Sequence, residues 1–332
     1  MWWILYILIG IAAVWLIATI AIVASLFFGS LSRKRTKKSG LDTSDLVSCL
    51  KPFKDEIDEG KRWYRAQNLR EAEIISYDGV RLRADIFEAE NAVGTLILMH
   101  GFRSSAINDF TLVFPFYHNL GFNLVIPDQR ACGRSEGKYI TLGIKERYDC
   151  KAWADFAAKE FGENLPLILD GISMGATTVM MASALDLPKN VCGLIADCGF
   201  TSPLEVVHAV LRATHIPAFP NIYFAKIFAR LFAGFGFSEA STIDAMKTCQ
   251  YPILFAHGKK DDFVPYEMTV QNFEACASEK KAFFSVDEAG HGMCYLLERE
   301  KLQKELTLFL EQCVENFHRK NAQSNNERNV RT

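Results

Sequence analysis

The chain has 332 residues, 49% of them hydrophobic and 23% charged, with 10 Pro and 21 Gly. That composition can bury a large core and excludes a disordered or collagen-like chain. With 37 Lys and Arg against 39 Asp and Glu, the formal net charge of −2 supplies no basic field for a polyanion, so nucleic acid is not an expected partner.

Met1 to Gly29 (MWWILYILIGIAAVWLIATIAIVASLFFG) contain no charged side chain, and as a helix they reach about 43 Å, more than the roughly 30 Å of a bilayer core. A cleavable signal peptide carries its positive charge before a shorter apolar stretch. Here the charges follow, as Arg33, Lys34, Arg35, Lys37 and Lys38. The pattern predicts an uncleaved transmembrane helix, with Trp2, Trp3 and Tyr6 in one interfacial belt and the bulk of the chain in the cytoplasm by the positive-inside rule. The nine cysteines are odd in number, dispersed, and without C-x-x-C or zinc-ligand spacing. They read as free thiols of a reducing compartment.

Residues 39 to 70 are polar and mixed in charge, which suits a linker and a short amphipathic helix. Glu73 to Phe87 (EIISYDGVRLRADIF) reads as a hairpin, with Asp78-Gly79 as a two-residue turn. Apolar runs then alternate with helix-length segments: TLILMH (95–100), FNLVIP (122–127), PLILD (166–170), VCGLIAD (191–197), PILFAH (252–257) and AFFSVDE (282–288). Such runs suit strands buried on both faces of a mostly parallel, doubly wound α/β sheet. More than fifty residues separate Asp197 from Tyr251, and they read as a helical cap over the carboxyl edge of the sheet, where open α/β sheets bind ligands. The expected organisation is a transmembrane helix over 1–29, a basic juxtamembrane linker and short helix over 30–70, the α/β domain over 71–318 with its cap at about 200–248, and a disordered tail over 319–332.

The chemistry lies on loops after the strands. PLILD runs into Gly171-Ile172-Ser173-Met174-Gly175 and then a helical stretch. G-x-S-x-G between strand and helix is a nucleophile elbow, in which small residues at 171 and 175 let strand and helix approach and Ser173 project. A serine hydroxyl needs a histidine base and an orienting carboxylate, in the chain order Ser, acid, His. The acid is Asp261 or Asp262, just past PILFAH, and the base is His291 in Ala289-Gly290-His291-Gly292 after the last run. Either aspartate could instead cap the helix that follows. In His100-Gly101-Phe102-Arg103 the Phe102 amide, with that of Met174, can form an oxyanion hole. His100 and His257 end strands in His-Gly pairs and read as turn-shaping residues. His118, His208, His215 and His318 have no partner motif and read as surface or packing residues.

The segment from about Glu73 to Glu315 resembles the α/β-hydrolases, and among them the bacterial serine aminopeptidase-like or lysophospholipase-like hydrolases, some with an N-terminal membrane helix. The resemblance rests on LMHGF (98–102), PDQRACGRSEG (127–137), DGISMGA (170–176), HGKKDDFVP (257–265) and AGHG (289–292). It implies Ser173 as nucleophile, Asp261 as acid, His291 as base, and Phe102 and Met174 as oxyanion donors. Ala131 departs from a pattern that more often has Gly there, while Asp128 and Arg130 are expected to fix loops. The implied activity is a serine hydrolase of the carboxylesterase or lipase type that needs no metal or organic cofactor. A peptidase or amidase is the alternative within the fold, and an inactive membrane-tethered binding module the alternative outside enzymes. Phe219, Ile222, Tyr223, Phe224, Ile227, Phe228, Leu231, Phe232, Phe235 and Phe237 in the cap recur near helical spacing. One face can pack on the sheet, and a cap so apolar over the serine favours an uncharged small-molecule acyl ester as substrate.

Overall fold

The computed structural model describes residues 2–33 and 50–331. The apolar runs fold as strands: β1 (Arg70–Ile75), β2 (Arg81–Phe87), β3 (Gly94–Met99), β4 (Phe122–Asp128), β5 (Leu167–Ile172), β6 (Val191–Asp197), β7 (Ile253–Gly258) and β8 (Lys281–Val286). They form one sheet in the order β1-β2-β4-β3-β5-β6-β7-β8. β2 runs antiparallel to β1 and β4, and the strands from β4 through β8 run parallel. Along β3 the side chains alternate between two cores, as the pleat requires. Ile97 and Met99 join Trp153, Ala154 and Val179 on one face; Leu96 and Leu98 join Phe110, Phe114, Leu306 and Phe309 on the other. β8, read from its sequence as doubly buried, is a half-exposed edge strand, because no strand follows it to cover that side.

The helices that matter below are α1 (Trp2–Leu31), α2 (Lys54–Ala66), α3 (Glu146–Phe161), α4 (Met174–Ala182), α5 (Pro203–Ala213), α6 (Ala218–Phe228), α7 (Thr242–Met246), α8 (Tyr266–Ala275) and α9 (Arg299–Arg331). α4 is buried along its whole length. α5, α6 and α7 lie between β6 and β7; the inner faces of α5 and α6 join a third core with Met174, Phe200, Phe235 and Val264, whereas Ala245 and Met246 of α7 join the first. α1 is long and apolar enough to cross a membrane, and is almost wholly exposed. Its buried positions, Thr19, Val23, Phe27 and Leu31, form one stripe at four-residue spacing. Phe27 and Leu31 belong to the third core, so the apolar helix ends inside the folded body. Arg33 donates to Ser135 O at 2.5 Å and Gly133 O at 2.9 Å, and Ile140 N donates to Leu31 O at 2.8 Å. Lys34, Arg35, Lys37, Lys38 and Cys49 lie outside the described residues; the eight described cysteines are free.

Three local features differ from expectation. The hairpin turn is a three-residue loop, Tyr77 to Gly79: Gly79 N donates to Ser76 O, Ser76 N to Val80 O, and only Gly79 takes a positive φ, of 81°. One left-handed residue after a type I turn is enough to reverse the chain. Ala131 adopts the left-handed conformation usual for glycine, at φ 60°, at a cost of about 1–2 kcal/mol, with its amide held by Glu136 O at 2.8 Å. The tail from Arg319, expected to be disordered, continues α9 through Arg331. Propagating an established helix fixes one residue per hydrogen bond gained, whereas starting one does not.

Arg130 is buried and binds Asp149 at 2.6 Å and Asp78 at 2.9 Å, tying the hairpin loop and α3 to the loop after β4. Arg130→Ala would strand the buried Asp149 carboxylate and should cost about 3–5 kcal/mol of unfolding free energy, measured by urea denaturation of the detergent-solubilised chain. A loss under about 1 kcal/mol would place this cluster with the dispensable surface pairs.

Candidate active site

Ser173 stands between β5 and α4 with φ 58° and ψ −117°, a strained backbone for any residue with a Cβ, costing about 1–3 kcal/mol. Its surroundings impose that conformation. A Cβ on Gly171 would lie 2.3 Å from the Gly175 carbonyl carbon, and one on Gly175 would lie 1.8 Å from Met99 O. Only glycine lets α4 start this close to β5 and β3. Ser173 N donates to Asp197 O at 2.8 Å, which holds the turn to the end of β6.

His291 Nε2 lies 2.9 Å from Ser173 Oγ, and His291 Nδ1 lies 2.6 Å from Asp261 Oδ2. Because Nδ1 faces a carboxylate it carries the proton, which leaves the Nε2 lone pair directed at the serine hydroxyl. Four hydrogen bonds converge on Asp261. Phe263 N and Val264 N donate to Oδ1 at 2.9 and 2.8 Å, while His291 Nδ1 and His257 Nε2, the latter at 3.0 Å, share Oδ2. Burial works to raise the Asp261 pKa, yet the bonds from His257 and His291 prevail and hold the carboxyl well below the usual carboxylate range. Its folded value lies below its unfolded one, so its contribution to stability is complete above about pH 5 and is lost only as pH falls through the acid range. Asp262, the neighbouring candidate, is exposed. The structure therefore brings Ser173, Asp261 and His291 together and leaves Asp262 out.

His257 is the residue that its sequence context hides. Its Nε2 faces both Asp261 Oδ2 and Val264 O, two acceptors, so it carries the proton; Nδ1 then accepts from Thr269 Oγ1 at 2.6 Å. A second imidazole thus grips the carboxylate that orients the first. His100 keeps the role its His-Gly pair suggests: Nδ1 lies 2.8 Å from Gly101 O, and Nε2 accepts from Gln129 N at 3.0 Å. The loop after it is further fixed by Asp109, which accepts from Gly101 N at 2.6 Å and Ser104 Oγ at 2.5 Å, its pKa raised by burial. Phe102 N and Met174 N have no hydrogen-bond acceptor among the described residues, which leaves both amides free for an external oxygen.

Two more buried groups adjoin the imidazole. Burial raises Asp197 to about 6, and its Oδ1 has no partner among the described residues. Cys198 Sγ lies 4.0 Å from His291 Nε2, its thiol pushed well up by burial. Ligand atoms of Cys198, Asp261 and His291 all lie within 4.8 Å of one another. Asp261 Oδ2 is already hydrogen-bonded to His291 Nδ1, and His291 Nε2 to Ser173 Oγ, an arrangement suited to proton transfer more than to holding a metal.

Residues 90–246 match the family model described as serine aminopeptidase, S33. The chain is 28% identical over 218 residues to the uncharacterised protein YqkD of Bacillus subtilis, covering 65% of this chain and 71% of that one. It is 27% identical over 223 residues to an uncharacterised membrane protein of Saccharomyces cerevisiae, covering 66% and 72%. Among solved structures, the esterase Pf2001 of Pyrococcus furiosus aligns with a TM-score of 0.63 at 22% identity, covering 85% of this chain and 98% of that one. Est1E of Butyrivibrio proteoclasticus, solved with ferulic acid bound, aligns with a TM-score of 0.56 at 20% identity, covering 73% and 99%.

The geometry around Asp261 yields an ordered set of effects on the rate of fluorophosphonate labelling of the full chain. Asp261→Asn should slow it by about 10³–10⁴-fold, as loss of the correct imidazole tautomer does. His257→Leu removes one hydrogen bond to a charged group and should slow it by about 10-fold or more. Asp262→Asn should change it less than about twofold. Equal effects of Asp261→Asn and Asp262→Asn would contradict the assignment of the carboxylate.

Proposed function

From the premise that this chain has the α/β-hydrolase fold, we propose that it is a membrane-anchored serine hydrolase that cleaves carboxylic esters through an acyl-enzyme, with Ser173, Asp261 and His291 as its triad. The observation that carries this reading is the continuous path from Ser173 Oγ through both nitrogens of His291 to a fully hydrogen-bonded Asp261. Ser173 Oγ attacks the ester carbonyl carbon while His291 Nε2 takes the hydroxyl proton, and Asp261 stabilises the imidazolium. The carbonyl oxygen, now an anion, accepts hydrogen bonds from the Phe102 and Met174 amides, an interaction whose loss typically costs about 3–4 kcal/mol per donor. The tetrahedral intermediate collapses as His291 returns the proton to the departing alkoxide. Water, deprotonated by His291, then attacks the acyl-enzyme and releases the carboxylic acid.

An ester is favoured over a peptide by the walls of the site. Phe102, half-buried, packs against the third core, so the side chain beside one of the proposed oxyanion donors offers apolar surface to an uncharged acyl chain, at about 0.8 kcal/mol per buried CH₂. Pf2001, with the same fold, is described as an esterase. The apolar α1 anchors the enzyme where such esters concentrate. The basic run after α1 supports a cytoplasmic catalytic body by the positive-inside rule, and the eight free described cysteines suit a reducing compartment.

Ser173→Ala should abolish fluorophosphonate labelling of the full chain and lower turnover of p-nitrophenyl esters by about 10⁴-fold or more, with circular dichroism unchanged. Labelling that persists at Ser104 or Ser105 would overturn the assignment. On substrate, medium-chain acyl esters should give a higher kcat/KM than acetyl esters and react faster than aminoacyl anilides. Faster cleavage of the anilides would put a peptidase first. A fluorescent protein fused after Thr332 should fluoresce, and a secreted-phosphatase fusion at the same point should be inactive; the reverse pair would move the domain across the membrane.

A further inference from the structure

The cap carries a surface that the active site does not use. Its apolar residues do not all turn toward the serine. Tyr223, Ile227 and Leu231 recur every fourth residue along α6 and the turn after it and are 57, 49 and 71% exposed; Phe219, 73% exposed on a non-helical residue at the start of α6, lies against Tyr223 at 5.8 Å between ring centroids. Ile222, Ala229 and Ala233 form the buried side of the same segment. Lys226 and Arg230, each one residue before a member of the exposed stripe, make a parallel cationic column. An apolar stripe edged by Lys and Arg is the composition of a helix that lies in the plane of a membrane interface.

The position of α1 supplies the second half of the argument. It packs along α6, with Phe28 5.1 Å from Phe232 and Phe27 5.9 Å from Phe228 between ring centroids. From Trp2 to Ala18 all α1 residues are exposed, a length of about 25 Å at 1.5 Å per residue. A bilayer core is about 30 Å thick. The turn of α1 that completes the crossing is already buried against the folded body at Thr19 and Val23. A helix that spans the bilayer therefore brings α6 to the level of the lipid surface.

We propose that the exposed face of α6 is a membrane-docking surface: Phe219, Tyr223, Ile227 and Leu231 insert among the acyl chains of the leaflet beside α1, and Lys226 and Arg230 meet the phosphates of anionic phospholipid. The proposal rests on the reading of α1 as a bilayer-spanning anchor. It places the cap, whose inner face joins the core beside Met174, against the phase that holds long-chain esters.

The test uses the full chain in vesicles of phosphatidylethanolamine and phosphatidylglycerol, with p-benzoylphenylalanine at one position at a time. Leu231→p-benzoylphenylalanine is expected to give lipid adducts by mass spectrometry after irradiation, at a yield within about threefold of Ile11→p-benzoylphenylalanine in the middle of α1. Glu163→p-benzoylphenylalanine, on an exposed loop, is expected to give none. Exchanging phosphatidylglycerol for phosphatidylcholine should lower the Leu231 yield about threefold or more and leave that of Ile11 unchanged. Lipid adducts at Ile11 with none at Leu231 would overturn the docking surface and leave the anchor standing. An adduct from Leu231 to a second copy of the chain would make this face a protein contact and overturn the proposal equally. Absence of adducts at both positions would overturn the anchor itself, and an equal Leu231 yield in both lipid mixtures would overturn the headgroup contact.

Discussion

The approach of α4 to the ends of β5 and β3 is the constraint from which the rest of the site follows. At residue 175 there is no room for a single methyl group, since a Cβ there would overlap the Met99 carbonyl oxygen at 1.8 Å. Contact this close makes the turn at Ser173 sharp, keeps its φ positive, and brings the amide at the start of α4 beside the loop that leaves β3. Had the helix stood off by the width of a side chain, Ser173 would lie farther from His291 and the Phe102 and Met174 amides would not share one space. The backbone strain is sustained by a sheet buried on both faces, whose central strands have no freedom to relax.

Electrostatics completes what packing begins. Asp261 would be a costly buried charge if left alone, but two backbone amides and two imidazoles surround it. The two histidines are not equivalent. His257 is fixed on both sides, by Thr269 and by Asp261, whereas His291 has one nitrogen fixed and one directed at the Ser173 hydroxyl. The site is also tied to α1: Arg103, next to Phe102, donates to Ser32 O at 3.2 Å, just past the end of that helix. The loop that carries the free Phe102 amide is thus braced against the end of the long apolar helix.

Much of this was readable in the sequence, because strands buried on both faces leave continuous apolar runs and because glycine at 171 and 175 has a steric cause. The elbow, the histidine loop and the alternation of strand and helix follow from those local patterns. His257 was not readable, since its partner lies across a turn and a His-Gly pair looks the same whether the ring shapes the bend or grips a carboxylate. Asp261 and Asp262 are adjacent, and only the path of the turn decides which one is buried. The exposed edge of β8 and the outward face of α6 depend on neighbours distant in sequence. A period of about four residues describes an apolar stripe without saying whether it faces the core or, as at Ile227 and Leu231, away from it.

The seating of α1 also determines what a shortened form of this protein would be. Val23, Phe27 and Leu31 are buried in the folded body, and the backbone of Leu31 and Arg33 pairs with Ile140 and Lys138. Cutting the chain after the apolar helix would uncover Tyr139, Phe228 and Phe232 and leave those amide and carbonyl groups unpaired, beside an α6 face that is already apolar. A fragment of that kind would tend to self-associate in water through surfaces absent from the intact protein. The end of the apolar helix and the body it packs on thus share one core.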